Sequence, residues 1–291
     1  MRGEARLFGV LGDPVDHSLS PVMHNAAFAA CELPYLYLRF RVASDLLPQA
    51  LAEARQLDMG GLNLTVPLKE VALGLLDDLT PEARRIGAVN TIVFDHGRLH
   101  GDNTDARGFL RSLDGRVALA DAHVVLIGAG GSARAVGTAL ATSGCTHVTI
   151  ANRTLARAAD LARTLEEHGS LRASVATLDA LEDGIGLSDV RLVVNTTSTG
   201  LANDPIAVRH GATPHDCIFM DLVYGPQPTP FLRAAARGRR RTIDGSGMLL
   251  HQGALAFEAW TGRPAPLDAM RRALADAGLP LGAASPAGKG H

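Results

Sequence analysis

The sequence has few lysines, few aromatic residues and no excess of either charge. Only two of its 28 basic residues, Lys69 and Lys289, are lysines, aromatic residues make up 4%, and the formal net charge is -2 at pH 7. This balance gives no electrostatic basis for binding nucleic acid or an anionic membrane surface. No apolar run approaches the roughly 20 residues of a membrane span, and Met1 leads into no basic-then-apolar secretion signal. We therefore expect a cytoplasmic protein with neither nucleic-acid nor membrane partners.

Cysteine is equally scarce. Cys31, Cys145 and Cys217 are widely separated and odd in number, which argues against a disulfide framework and against a structural zinc site. We expect a reducing compartment and no metal. The 291 residues, 46% of them hydrophobic, are enough for two folded domains and too apolar for disorder.

The scarcity of lysine draws attention to Lys69. Lys289 lies in a tail of small residues, 283–291, which we expect to be frayed, so Lys69 is the only lysine in the part expected to fold. Arginine cannot release a proton near neutral pH, whereas a partly desolvated lysine can. Composition alone leaves two interpretations open, a proton-transferring lysine and a chance surface residue.

β-Branched apolar runs alternate with alanine-rich helical stretches along the whole chain. The order predicts an α/β protein with mainly parallel sheets that helices cover on both faces, and it places the junctions between domains near residues 105 and 245. The predicted strands are 7–10, 35–42, 61–66, 123–127, 147–151, 192–195 and 218–222, with a hairpin at 88–100. The predicted helices are 21–30, 46–57, 68–79, 132–142, 154–168, 247–260 and 266–277.

A glycine-rich turn joins a predicted buried strand to a helix at Gly128-Ala129-Gly130-Gly131-Ser132-Ala133. The first glycine permits a tight turn, the second lets the backbone approach a pyrophosphate, and the small residue at 133 allows close packing of helix on sheet. Free N–H groups at the helix start attract phosphate charge. Such turns also occur without a ligand, but in this strand–turn–helix context we predict a dinucleotide site.

The end of the next strand distinguishes between cofactors. An NAD enzyme tends to place a carboxylate there for the ribose 2′-hydroxyl. This sequence has Asn152-Arg153-Thr154 with Arg157 one helical turn later, and two guanidinium groups, a hydroxyl and a helix start can hold a 2′-phosphate. The alternative is a solvated arginine face. We predict NADP in preference to NAD.

The first half of the chain carries polar residues at its predicted strand ends. Each fragment alone suits a helix cap or a turn, but ligands of open α/β sheets bind beyond the carboxyl ends of the strands. Together the fragments predict a pocket for a small polyhydroxylated molecule. They lie at residues 17–21, 63–69, 87–91 and 101–105.

The ordered set of motifs closely resembles the shikimate dehydrogenase family. The resemblance runs from about residue 7 to about 277. The matching segments are 17–21, 63–69, 87–91, 103–105, 128–132, 152–154, 195–198, 221–224 and 244–249, with Gln252.

The resemblance implies a two-domain fold, with an N-terminal α/β substrate domain at 1–104 plus 246–291 and an inserted Rossmann NADP-binding domain at 105–245. It implies reversible hydride transfer between NADPH and 3-dehydroshikimate in chorismate and aromatic amino acid biosynthesis, with Lys69 and Asp105 as the catalytic pair. The substrate carboxylate would meet Ser18, Ser20 and Tyr224, and the ring hydroxyls would meet Asn63, Thr65, Asn90, Asp105 and Gln252. The cofactor residues would be Gly128, Ala129, Gly130, Gly131, Ser132, Asn152, Arg153, Thr154, Arg157, Leu222 and Gly245, with Thr197 on the cofactor side.

Three alternatives remain at this stage. One is a quinate/shikimate dehydrogenase or a relative acting on a modified shikimate. The second is a non-catalytic NADP- and shikimate-binding sensor, against which the presence of both Lys69 and Asp105 weighs. The third is a sugar- or nucleotide-binding regulator, for which we would expect a basic docking surface. The sequence allows a monomer or a homodimer.

Overall fold

The computed structural model describes residues 4–113, 115–198 and 206–281. The tail that we expected to be frayed, with Lys289, lies outside these ranges. The chain divides into two compact units. The first unit comprises Met1–Thr80, Val89–Thr104 and Leu249–His291, and the second comprises Pro81–Ala88 and Asp105–Met248.

Strands and helices alternate through most of both units. The strands are β1 Arg6–Gly12, β2 Tyr35–Arg41, β3 Gly61–Leu64, β4 Asp78–Leu79, β5 Thr91–Asp95, β6 Arg98–Asp102, β7 His123–Ile127, β8 His147–Ala151, β9 Arg172–Ala176, β10 Val190–Asn195, β11 Ile218–Asp221 and β12 Arg241–Ile243. The helices are α1 Ser20–Ala30, α2 Leu47–Gln56, α3 Leu68–Val71, α4 Pro81–Ile86, α5 Asp105–Leu113, α6 Gly131–Thr142, α7 Leu155–His168, α8 Leu178–Asp183, α9 Pro230–Arg237, α10 Ser246–Thr261 and α11 Leu267–Asp276.

The first unit contains a six-stranded sheet in the order β2-β1-β3-β5-β6-β4. β1 pairs in parallel with β2 and β3, while the hairpin of β5 and β6 joins β3 antiparallel. Aromatic rings pack on it, with Phe8 5.0 Å from Phe28 and Phe28 5.7 Å from Phe257, measured between ring centroids. Burial of such rings makes a large contribution to a core. The polar residues that follow β1 and β3 are therefore attached to a rigid sheet.

The second unit contains a fully parallel sheet in the order β12-β11-β10-β7-β8-β9. β7 is the first strand of this sheet, and the chain runs outward from it first through β8 and β9 and then through β10, β11 and β12. This is the doubly wound dinucleotide-binding order, in which ligands bind where the strand order reverses. The reversal lies between β7 and β10, which end at Ile127 and Asn195.

These two sheets confirm the predicted α/β class. One predicted element is wrong: the helix expected at 68–79 ends at Val71, continues as a 3₁₀ turn at Ala72–Gly74, and is followed by β4. β4 pairs with β6, and a carboxylate oxygen of Asp77 accepts from the Leu99 N–H at 2.7 Å. Partners distant in sequence thus override the local helical pattern. The third predicted strand ends at Leu64, two residues early, although backbone bonds to the β1 side continue from the Thr65 N–H to the Leu11 carbonyl and from the Asp13 N–H to the Val66 carbonyl.

The boundaries of the two compact units differ from the predicted domain limits in two places. Residues 81–88 and 246–248 belong to the second unit, whereas the sequence placed them in the substrate domain. As functional domains, the predicted limits stay a prediction. None of the helices in the described ranges is long and apolar enough to cross a membrane.

Candidate active site

Two amide side chains in the first unit are fixed by a buried network at the ends of β3 and β6. Asn90 accepts from the Thr104 N–H at 2.8 Å and from the Thr91 hydroxyl at 2.9 Å through the same oxygen, Oδ1. Asn63 donates through Nδ2 to the Asn90 carbonyl at 3.0 Å and to Thr91 Oγ1 at 3.1 Å. Asn63 is 6% exposed and Asn90 2%. Buried amides need partners for every polar atom, so this network holds both in one orientation.

Gln252 extends the network from α10. Its Oε1 accepts from Asn90 Nδ2 at 3.4 Å, and its Nε2 donates to the Leu249 carbonyl at 2.9 Å. The structure therefore brings together three predicted substrate-binding residues that lie up to 189 positions apart in sequence, Asn63, Asn90 and Gln252.

The two predicted carboxylate-binding serines lie at the start of α1. Ser18 and Ser20 are both 7% exposed, and the Ser20 N–H donates to Ser18 Oγ at 3.3 Å. Arg39, on β2, donates through Nε to the Ser18 carbonyl at 2.8 Å. Sequence reasoning missed Arg39, because its target is a main-chain atom 21 residues away.

Thr65 and Lys69 flank the turn that follows β3. The Thr65 N–H donates to the Leu11 carbonyl at 2.9 Å, and the Lys69 carbonyl accepts from the Val89 N–H at 2.8 Å. Lys69 is half-buried. Gly12 packs so closely on Thr65 that an added Cβ would lie 2.2 Å from its methyl carbon. The backbone around both residues is thus held by β1 and by the segment before β5.

Asp105 and Tyr224 belong to the second unit. Asp105 begins α5, is 3% exposed and directly follows Thr104, whose N–H is held by Asn90. Tyr224 is half-buried in the loop after β11.

The glycine turn after β7 has the geometry of a phosphate cradle. Gly128 has φ +113°, and a Cβ there would lie 2.5 Å from Thr196 Oγ1. Gly130 is the N-cap of α6 and offers no side chain to the first N–H groups of the helix, which are therefore available to an anion. Ala129, Gly131 and Ser132 complete the turn. These residues fit the pyrophosphate of a dinucleotide.

The predicted 2′-phosphate residues lie at the end of β8 and the start of α7. Arg153, Thr154 and Arg157 are exposed, while Asn152 donates through Nδ2 to the Thr154 carbonyl at 2.9 Å. The Thr154 hydroxyl makes no capping hydrogen bond to α7. The structure therefore brings to one helix start the cationic and hydroxyl groups that a phosphate requires.

A buried carboxylate, to which sequence reasoning gave no role, organises the loop that carries Leu222 and Tyr224. Asp221 accepts from Asn195 Nδ2 at 2.9 Å, the Val223 N–H at 3.1 Å and the Thr229 hydroxyl at 2.6 Å. Burial raises the pKa of Asp221, an effect that these three donors oppose. The sequence signal was present, since Asp221 and Asn195 each open a matched motif.

Two further predicted cofactor contacts meet on this loop. A Cβ on Gly245 would lie 2.0 Å from the Leu222 carbonyl oxygen, so only glycine permits the approach. Asn195 Oδ1 accepts from the Thr197 N–H at 3.0 Å and from its hydroxyl at 2.7 Å. Leu222, Gly245 and Thr197 thus share one framework at the carboxyl ends of β10 and β11. No cluster of three His, Cys, Asp or Glu side chains within the described ranges is arranged to hold a metal.

A parallel sheet of doubly wound order with a glycine phosphate cradle, together with a second α/β unit bearing a buried amide network, defines a two-domain dinucleotide-dependent enzyme class. Three family models match successive parts of the chain. The shikimate dehydrogenase substrate-binding domain matches residues 10–92, shikimate/quinate 5-dehydrogenase matches 112–223, and the shikimate 5′-dehydrogenase C-terminal domain matches 245–275.

Individual relatives agree over nearly the full length. The chain is 43% identical to shikimate dehydrogenase (NADP(+)) of Carboxydothermus hydrogenoformans over 94% of this chain and 98% of the relative. The structure of shikimate 5-dehydrogenase from Thermus thermophilus in complex with NADP(H) and shikimate is 42% identical, with a TM-score of 0.80 over 94% of this chain and 99% of that one. Quinate dehydrogenase from Corynebacterium glutamicum in complex with NAD is 32% identical, with a TM-score of 0.83 over 94% and 99%. The chain belongs to the shikimate dehydrogenase family.

Proposed function

We propose that this protein catalyses the reversible NADP-dependent reduction of 3-dehydroshikimate to shikimate in aromatic amino acid biosynthesis. The observation that carries the proposal is the buried network of Asn63, Asn90 and Gln252, because fixed amide groups of this kind suit the hydroxyls of a small ring. Family membership and the cradle at Gly128 support the cofactor.

The residue roles are those that the family resemblance implies, and the chemistry of each group is compatible with them. Ser18, Ser20 and Tyr224 offer hydroxyl donors suited to the substrate carboxylate, and Asn63, Thr65, Asn90, Asp105 and Gln252 suit the ring hydroxyls. The Gly128–Ser132 turn holds the pyrophosphate, Asn152, Arg153, Thr154 and Arg157 hold the 2′-phosphate, and the backbone at Leu222 and Gly245 borders the nicotinamide.

When bound, the nicotinamide supplies or accepts the hydride. Lys69 contributes an ammonium group, which stabilises negative charge on the reacting oxygen and donates a proton to it; in the reverse direction the amine takes the proton back. Asp105 orients Lys69 and accepts a hydrogen bond from a ring hydroxyl. Arginine cannot replace Lys69, because it does not release a proton near neutral pH.

We place the protein in the cytoplasm, as a monomer or a homodimer, with domain limits at 1–104 plus 246–291 and 105–245. All three cysteines are free thiols, which suits a reducing compartment.

Quinate is the second candidate substrate, favoured by the match to shikimate/quinate 5-dehydrogenase and by the quinate dehydrogenase neighbour. The test is an assay at 340 nm with each acid and each cofactor. We expect kcat/KM to be highest for shikimate with NADP. A higher kcat/KM for quinate would make quinate the substrate, and a higher kcat/KM with NAD would make NAD the cofactor. Tight binding of shikimate and NADP without turnover would support the non-catalytic sensor.

A further inference from the structure

The amides of the first unit form a hydrogen-bond chain that runs in one direction and begins at a tyrosine outside the predicted site. The Tyr37 hydroxyl donates to Asn63 Oδ1 at 2.7 Å. Asn63 donates to Thr91, Thr91 to Asn90, and Asn90 to Gln252. Each member therefore receives a hydrogen bond from the member before it.

Backbone groups set the direction of this chain. The Asn90 carbonyl can only accept, so it fixes Nδ2 of Asn63 toward itself. The Thr104 N–H can only donate, so it fixes Oδ1 of Asn90, and the Leu249 carbonyl fixes Nε2 of Gln252 in the same way. Because Asn63 then turns its carbonyl oxygen toward Tyr37, the tyrosine hydroxyl must be the donor.

Tyr37 is itself held by two neighbouring residues of α1, Asn25 and His24. It is 0% exposed on the edge strand β2, where Asn25 clamps its backbone by donating to the carbonyl at 3.0 Å and accepting from the N–H at 2.8 Å. The His24 ring stacks on the phenol, with centroids 4.5 Å apart and an interplanar angle of 16°. The hydroxyl is thus delivered to Asn63 with little freedom to move.

We propose that Tyr37 is a positioning residue for substrate binding, acting through Asn63. Both amide hydrogens of Asn63 are engaged by Asn90 and Thr91, so what Asn63 offers a ligand is the remaining lone pair of its oxygen, an acceptor for a ring hydroxyl. Tyr37 anchors that oxygen. This role rests on the proposed function, because the ligand hydroxyl is that of the proposed substrate.

The test compares Tyr37→Phe with Tyr35→Phe. Tyr35 is the matched control, because it lies two residues earlier on the same face of β2 and its ring packs on Phe8 at 5.2 Å and Phe28 at 5.4 Å. Loss of one buried donor should raise the KM for shikimate about 5- to 10-fold in Tyr37→Phe, with the KM for NADP unchanged and Tyr35→Phe close to wild type.

A double-mutant cycle separates positioning from a general packing effect. In an Asn63→Ala background, adding Tyr37→Phe should leave the KM for shikimate unchanged, because the group through which Tyr37 acts is gone. An equal rise in both backgrounds, or equal KM values for Tyr37→Phe and Tyr35→Phe, would overturn the role of Tyr37 while wild-type turnover upheld the function. Absence of wild-type turnover would overturn both.

Discussion

The amide network of the first unit and the predicted cofactor site of the second hold their polar groups in different ways. We call the second region, formed by the Gly128–Ser132 turn and by residues 152–157, the cofactor edge. In the first, Asn63 and Asn90 are buried and bonded to other protein groups before any ligand arrives. In the second, the Gly128 turn presents backbone, and Arg153 and Arg157 extend into solvent. A small polyhydroxylated ring is recognised best by preset side chains, since freezing them on binding would reduce affinity. Phosphates are recognised well by N–H groups and long cations.

The largest expected effect concerns Lys69. We expect Lys69→Ala to lower kcat by about two to four orders of magnitude, as loss of a positioned acid/base does, and Asp105→Ala to act similarly. Stopped-flow or steady-state rates at 340 nm measure this. Lys289→Ala, which changes the other lysine, should behave as wild type, and Lys69→Arg should not restore activity. A folded Lys69→Ala enzyme with near-normal kcat would remove Lys69 from the chemistry.

The next prediction breaks the preset network. Asn90→Ala leaves the Thr104 N–H, in a residue 0% exposed, without its acceptor, which should lower the free energy of unfolding by about 2 to 3 kcal/mol. Asn152→Ala is the matched asparagine of the cofactor edge, where only a local bond to the Thr154 carbonyl is lost. Urea titrations of both should show a much smaller change for Asn152→Ala. Equal losses would contradict the contrast between the two regions.

Sequence patterns predicted the α/β class and most strands of both sheets, because strand ends and the glycine turn are local signals. The residues assigned to each site stay a prediction. Sequence patterns could not predict the role of Tyr37, because its partner Asn63 is 26 residues away. The spacing of Tyr35 and Tyr37, two residues apart, is found in any strand and does not distinguish the two tyrosines. The same limit applies to the contacts of Asp221, whose motif the sequence shows but whose donor Asn195 is 26 residues away, and to β4, where pairing with β6 replaced a predicted helix. What was missed is the layer of contacts that supports the site, which depends on tertiary neighbours.

The cofactor edge is tested by Arg153→Ala. Loss of a charge-assisted bond to the 2′-phosphate should raise the KM for NADPH about tenfold, leave the KM for NADH nearly unchanged and barely alter stability, because Arg153 is exposed. Arg163→Ala is the control, on the helix that follows Arg153, where the guanidinium pairs with Asp160. An unchanged NADPH/NADH preference in Arg153→Ala would place the 2′-phosphate elsewhere.

The smallest expected effect concerns His24, whose ring stacks on Tyr37 next to the amide network. Burial lowers the pKa of His24 from 6.5 to about 3, and neither ring nitrogen has a hydrogen-bond partner in the described chain. Between these two pKa values the unfolded chain binds a proton that the folded one does not, so stability is lost as the pH falls below about 6.5. From pH 7 to 5.5 the His24 contribution should be about 1 kcal/mol. Urea titrations at both pH values should show that His24→Phe loses less stability than wild type over this interval, whatever its stability at pH 7. An identical loss in both proteins would mean that His24 is protonated in the folded state, and its stacking on Tyr37 would then include a charge.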